Sequence, residues 1–337
     1  MKKIVFIINP KAGTGNKAAV EAAIEQHLDR ERFDCTIRYT EYAGHAAEIA
    51  AEEAARGTDV VVAVGGDGTV NEVGRALVGK ETAMGIIPCG SGNGLARHLR
   101  ISMDPKEAVV LLNECCIEAL DYGTVNGEPF FCTCGVGFDA FISMKFAEAG
   151  RRGLKTYVEK TLQDGLNYKP ETYSIEIEGE TETYDAFLIA CANASQYGNN
   201  AYIAPEASTR DGLMDVTILT PFNKLESAQI VLQMFSRELD KNSHVKMFRT
   251  KRLRIMRKSA GPAHIDGDPT MMGETLDVAL VPAQLRMVVN GRPGHRPLAF
   301  PVVHAMRREL GTVQRDIENT FFKNIIEPFH RITKGEN

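Results

Sequence analysis

Residues 59–64, DVVVAV, constrain the fold more than any other stretch, because no polar residue follows Asp59 in the run. A strand without a polar face is covered on both sides, the usual condition of a central strand in a parallel sheet. The flanking sequence agrees. KIVFII (3–8) and AMGIIP (83–88) are short continuous apolar runs, and CTIRYT (35–40) reads as a further strand. Between them lie stretches with helical spacing. Val20, Ile24 and Leu28 share one stripe, and HAAEIAAEEAA (45–55), VNEVGRALV (70–78) and NGLARHL (93–99) follow. DPKEAVVLL (104–112) opens with Asp104 as N-cap, Pro105 at the first helical position and Glu107 completing a capping box. Such alternation predicts an α/β domain with a mostly parallel sheet, here over residues 1–116.

The texture changes near residue 117. VNGEP (125–129) is a turn between strand-like runs, and TYSIEIEGETETYDAFLIACAN (172–193) is a hairpin. LMDVTIL (213–219), KRLRIMR (251–257), ETLDVALV (274–281) and QLRMVVN (284–290) read as four more strands. Helical stretches interrupt them at 138–150, 156–166 and 223–235. Residues 117–296 are therefore expected to form a β-rich domain, an antiparallel sandwich. In the tail, 297–337, Val313, Ile317, Phe321 and Ile325 make one stripe of an amphipathic helix. It could pack back on the protein, make a homodimer contact or lie on a membrane surface.

Composition narrows the function. At 337 residues the chain exceeds one ordinary core, and 44% hydrophobic with 25% charged residues suits a globular enzyme. A formal net charge of −5 gives no global basic field for nucleic acid. No apolar run reaches the roughly 18 residues of a membrane span. The opening MKKIVFIINPKAG has too short an apolar part for a secretion signal and reads as a first strand. The seven cysteines lack zinc-site spacing and are expected as reduced thiols in a cytoplasmic protein.

Ligands of open α/β sheets bind beyond the carboxyl ends of the strands. The segments there are NPKAGTG (9–15), TEYAGHA (40–46), GGDGTVNE (65–72) and CGSGNGLA (89–96). Glycines leave backbone N–H groups open to an anion, and a helix starting there adds the positive end of its dipole. Thr69 fits an N-cap with Glu72 at the capping-box position, so both could serve only to start a helix. The spacing is neither a P-loop nor a G-x-G-x-x-G fingerprint. Asp67 is the residue a turn does not need. A carboxylate among phosphate-binding N–H groups calls for a cation or a proton between the charges, and Mg²⁺ on nucleotide phosphates meets that need.

NPKAGTG, GGDGTVNE, PCGSGNGLA, GVGFDA and HIDGDP, in that order over about residues 1–290, resemble the diacylglycerol kinase and sphingosine kinase family of lipid kinases. The resemblance implies transfer of a phosphoryl group from ATP, with Mg²⁺, to a lipid hydroxyl at a membrane surface. It implies a cleft between an α/β and a β-rich domain, in a protein at most peripheral to the inner membrane. By position, Asn9, Lys11, Thr40, Gly65, Gly66, Asp67, Gly68, Thr69, Asn71, Glu72, Gly90, Ser91, Gly92 and Asn93 match the nucleotide-binding segments. Asp266 matches the family's candidate general base, leaving open whether Asp67 holds the metal or shares the proton work. Asp268 stands where the family has glutamate, one methylene longer. Asp211 matches the carboxylate of a structural Mg²⁺ site, with Asp215 as a second candidate. Asp139 matches the carboxylate that pairs with an amine-bearing lipid in the sphingosine-kinase branch. Phe138 and Phe141, with Ile142 and Phe146, offer an apolar slot or simply core. An NAD kinase or a non-catalytic nucleotide-binding regulator would share parts of this pattern.

Overall fold

The computed structural model describes residues 1–13, 17–148, 168–223 and 226–291. The helices expected at 156–166 and beyond Pro297 and the Phe146 side chain lie outside them. Four parallel strands open the chain: β1 (Lys2–Ile8), β2 (Phe33–Tyr39), β3 (Val60–Gly65) and β4 (Ala83–Pro88), in the order β2-β1-β3-β4. Every residue of β3 and β4 is buried, as an all-apolar strand in a covered sheet must be. Helices α1 (Lys17–His27), α2 (His45–Ala55), α3 (Asp67–Leu77), α4 (Gly94–His98) and α5 (Pro105–Glu114) complete this part. Helix α1 packs on α5, and α2 packs on α3. Asp104 caps α5 by accepting the Lys106 N–H at 3.0 Å. Glu107 does not close the expected box. It takes the Ser102 hydroxyl, and Ser102 in turn accepts the Asp104 N–H at 3.1 Å.

The remainder is β-rich: β5 (Ile117–Val125), β6 (Glu128–Phe130), β7 (Thr133–Gly137), β8 (Glu171–Ile177), β9 (Glu180–Ala186), β10 (Leu188–Ala192), β11 (Met214–Leu219), β12 (Val245–Thr250), β13 (Arg252–Arg257), β14 (Gly261–Ile265), β15 (Asp268–Met272) and β16 (Thr275–Val288). Helix α6 (Phe138–Glu148) follows β7, and α7 (Glu226–Ser236) follows β11. A six-stranded sheet runs β12-β11-β10-β7-β14-β15. Its inner face meets β5, β8, β13 and β16 through Val136, Ile189, Val216, Ile175, Ile255 and Val278, which is the core of a sandwich. Its outer face carries α6 and α7 on Phe138, Ile142, Phe187, Leu219 and Ile230.

Two strands expected at 274–281 and 284–290 are one strand, β16, with a register shift between Val281 and Leu285. Ala283 at that bulge has φ +52°, and its N–H is held by Asp121 Oδ1 at 2.8 Å. Beyond the bulge Met287 pairs with Met84 of β4 in parallel, so β16 belongs to the first sheet as well as the sandwich. None of the seven cysteines, all of them among the described residues, forms a disulfide. No described helix is long and apolar enough to cross a membrane.

Candidate active site

The strand order reverses between β1 and β3, and the crevice beyond the carboxyl ends at such a reversal is where open α/β sheets take ligands. Asn9 leaves β1 there. Its Nδ2 donates to Thr69 Oγ1 at 3.1 Å and its Oδ1 accepts the Lys11 N–H at 2.9 Å, so it joins two loops. The loop after β4 reaches the same place by bare backbone contact. A Cβ on Gly90 would stand 2.5 Å from the Gly66 Cα, and one on Gly13 would stand 1.8 Å from the Cys89 carbonyl oxygen. Asn93, at φ +53°, closes its own loop by accepting the Gly90 N–H at 3.0 Å and donating to the Gly90 carbonyl at 2.8 Å. Ser91 and Lys11 are exposed, while Thr40 is buried at the end of β2.

Asp67 ties these loops together. Oδ2 accepts the Asn93 N–H at 2.8 Å and Oδ1 accepts the Gly94 N–H at 2.7 Å, at the start of α4. Burial pushes its carboxyl up to about 6; the two N–H bonds oppose the rise and the charge of Asp266 adds to it. Each oxygen keeps a lone pair for a hard cation. A cation there would need phosphate oxygens or water to complete its shell, as Mg²⁺ commonly does.

Thr69 and Glu72 do not form a capping pair. Helix α3 starts at Asp67 with Gly66 as N-cap, which leaves Thr69 inside the first turn. The Glu72 carboxylate instead accepts the Gly44 N–H at 2.9 Å and the Ala46 N–H at 3.1 Å. It therefore caps α2, where the dipole and the unpaired N–H groups favour an anion.

The β-rich part reaches this edge through the β14–β15 hairpin. Asp266 (φ +50°) and Gly267 (φ +86°) are the two central residues of its turn, a type I′ geometry that Asp-Gly suits. The Asp266 carboxylate accepts from Asn71 Nδ2 at 2.8 Å, from Cys132 N–H at 2.7 Å, from Phe131 N–H at 2.9 Å and from Thr133 N–H at 3.1 Å. Burial raises its pKa, and those donors oppose the rise. Asp268 Oδ2 lies 3.3 Å from where a Cβ on Gly68 would stand, so the hairpin lies against the start of α3. Asp67, Asn71, Asp266 and Asp268 are thus brought together from distant parts of the chain.

Asp139 is buried at the start of α6. Its Oδ1 accepts the Ala140 N–H at 2.8 Å, and its Oδ2 lies 2.8 Å from the Tyr197 hydroxyl and 3.0 Å from His264 Nε2. Phe138 and Phe141 sit beside it in a ring cluster with Tyr168 and Phe187. Tyr197 and His264 were not singled out in the sequence: Tyr197 stands in none of the quoted motifs, and in HIDGDP the aspartates drew the reading. Asp121 was also missed, although a carboxylate between Leu120 and Tyr122 in a strand-like run is a signal. It is buried and accepts the Gly212 N–H at 2.8 Å.

Of the two expected metal ligands near residue 211, Asp215 pairs through Oδ1 with Arg249, its cross-strand partner, at 3.0 Å, and its Oδ2 is buried with no hydrogen-bond partner. Asp211 is exposed and accepts the Leu213 N–H at 3.1 Å, a turn geometry. Among the described residues no group of three or more His, Cys, Asp or Glu could hold a metal by itself. Of the six basic residues in FRTKRLRIMRK (248–258), Arg249 pairs with Asp215, Arg254 pairs with Asp277, and Arg257 is buried on four carbonyl oxygens.

Comparison with known proteins covers both halves. The diacylglycerol kinase catalytic domain matches residues 3–125, and the YegS C-terminal NAD kinase beta sandwich-like domain matches residues 133–289. A diacylglycerol kinase of Bacillus subtilis is 26% identical over 280 residues, 80% of this chain and 90% of that one. One of Mycobacterium tuberculosis is 29% identical over 256 residues, 73% of this chain and 80% of that one. An uncharacterized Synechocystis protein is 30% identical over 251 residues, and the match spans only 58% of its length. The crystal structure of a diacylglycerol kinase from Bacillus anthracis shares the fold, with a TM-score of 0.68 at 20% identity over 86% of this chain and 97% of that one.

Proposed function

The chain belongs to the family built from a diacylglycerol kinase catalytic domain and a YegS-type C-terminal domain, and on that footing we propose that it transfers the γ-phosphoryl group of ATP to a lipid hydroxyl. One observation carries the reading: Asp67, held by the Asn93 and Gly94 N–H groups of the glycine loop, lies close enough to Asp266 of the other half to feel its charge, and Asn71 of the same helix binds Asp266. Phosphoryl transfer needs positioning, charge neutralisation and a group to accept the acceptor's proton. The loops after β1, β3 and β4 supply backbone donors for phosphates. When bound at Asp67, Mg²⁺ supplies neutralising charge to the phosphates. Asp266 is the proposed proton acceptor. Four donors fix its position; burial raises its basicity and those donors oppose the rise, so one donor has to give way for the acceptor's hydroxyl to reach an oxygen.

The environment of Asp139 supports an uncharged lipid head, such as that of diacylglycerol, over a sphingoid ammonium. Both oxygens are engaged inside the protein, and the side chain is only 6% exposed. The test is transfer of radiolabelled phosphate from ATP to a panel of diacylglycerol, sphingoid base, ceramide and NAD on mixed vesicles. Label on diacylglycerol is expected. Label on NAD alone overturns the lipid reading, and label on the sphingoid base alone overturns the account of Asp139.

A further inference from the structure

Resting on that kinase reading, we propose that Tyr197 and His264 are positioning residues that set the Asp266 turn according to the state of the loop after β4. The contacts form one continuous series. At one end, segment 196–200 lies on the glycine loop. Asn199 N–H donates to the Gly92 carbonyl at 3.1 Å, and a Cβ on Gly198 would stand 2.8 Å from the Gly92 Cα. The Tyr197 carbonyl oxygen lies 3.1 Å from where a Cβ on Gly94 would be. Gly94 is the residue whose N–H caps Asp67. Movement of this loop is therefore passed to the backbone of Tyr197 by contact, with no slack for a side chain between them.

From Tyr197 the series runs through polar groups. Its hydroxyl donates to Asp139 Oδ2 at 2.8 Å, and His264 Nε2 lies 3.0 Å from the same oxygen. The rings of Tyr197 and His264 meet edge-on at 5.9 Å. His264 Nδ1 is 3.4 Å from the Gly267 backbone N–H, which makes Nδ1 the acceptor and Nε2 the donor to Asp139. Gly267 shares the two-residue turn with Asp266. His264 is 1% exposed and Asp139 6%, so neither exchanges partners with water at low cost. The Asp266 N–H donates to the Thr133 carbonyl at 2.8 Å, fixing the other side of the turn. The imidazole thus holds the turn from one side and β7 from the other. Neither Tyr197 nor His264 touches Asp67 or Asp266 directly in these contacts, which is what separates positioning from chemistry.

Two substitutions isolate the series. Tyr197→Phe removes one hydroxyl and keeps the ring packing. His264→Gln keeps a donor for Asp139 and removes the acceptor of the Gly267 N–H. In full-length protein with ATP and diacylglycerol vesicles, each variant is expected to lose about tenfold or more in kcat while KM for ATP stays within about twofold. The double variant is expected to lose no more than the worse single variant, because both act through one series. Amide hydrogen exchange of peptides covering 261–272 gives a readout free of turnover. ATP is expected to slow exchange there in the wild type and not in Tyr197→Phe. Unchanged exchange in both variants, or kcat losses that multiply in the double variant, overturns the proposal. If the wild type labels no lipid yet its exchange responds to ATP only with Tyr197 intact, the kinase reading fails and the positioning series stands.

Discussion

Asp67 is an acid with a folded-state pKa of about 6, above its ordinary 3.8, because burial disfavours its charge. The sign follows. Without a cation, its stabilising contribution is complete below about pH 4 and is lost as pH rises through about 6, an effect on the order of 3 kcal/mol. Asp67→Asn should therefore gain thermal stability relative to wild type as pH goes from 5 to 7.5, read as the difference in Tm between the two proteins. A constant difference would contradict the burial argument. For catalysis the ionised form is needed to hold a cation, so kcat/KM should fall as pH drops through about 6 at low Mg²⁺. Raising Mg²⁺ favours the ionised carboxylate and should move that limb to lower pH; a limb indifferent to Mg²⁺ would remove the metal from Asp67. Asp266→Asn addresses the other carboxylate. Nucleotide binding should stay near wild type, and turnover should fall by ~10²–10⁴-fold. The new amide must face three backbone N–H groups, at a cost of roughly 1–3 kcal/mol. Tm measured beside the rate therefore separates misfolding from lost proton transfer, and wild-type turnover would end the base assignment.

The elements were legible where local chemistry decides them. VNGEP marks a turn because Asn126 and Gly127 take φ +49° and +84°, and Asp266-Gly267 has the same geometry with a catalytic candidate built into it. The reading of DGDP as a turn and its reading as a site are both satisfied by one residue. Less was legible where the partner is remote. Glu72 looks like a capping-box residue of its own helix, yet it caps α2, because capping boxes are local patterns and the Gly44 N–H is a tertiary neighbour. Asp215 was the second ligand candidate, and its cross-strand partner Arg249 could not be read from the sequence. The glycines were read as phosphate contacts, and the fold adds a second reason for them. Gly90→Ala would place a methyl 2.5 Å from the Gly66 Cα, so it should cost ~1–3 kcal/mol and weaken nucleotide binding. Gly57→Ala is the control. Its φ of +72° brings backbone strain of ~1 kcal/mol, but nothing lies within 4 Å, and KM for ATP should not change. Equal effects on KM from both would mean that the loop contact does not shape the site.

At the scale of the molecule, strand β16 determines how the halves depend on each other. Before its bulge, Leu276, Val278 and Leu280 are buried in the sandwich core; after it, Leu285, Met287, Val288 and Val289 are buried in the core of the parallel sheet. The sequence suggested a boundary between 116 and 117, while Met1–Asn290 form one compact unit. Pairing order, however, is a long-range property that periodicity does not encode, so the return of β16 to β4 was not legible. Its consequence is energetic. Residues 1–116 expressed alone would lack β16 and leave β4 as an unpaired, wholly buried edge, a state that exposes apolar surface and favours association. That fragment should be unfolded or aggregated. The intact chain should unfold in urea as a single cooperative transition, with far-ultraviolet circular dichroism and thiol accessibility of Cys132 changing at the same midpoint. Two separated midpoints would mean that the register shift uncouples the ends of β16. Because Asp67 comes from the parallel half and Asp266 from the other, such uncoupling would also leave the two carboxylates without a fixed separation. The single transition is therefore a condition for the site as well as for the fold.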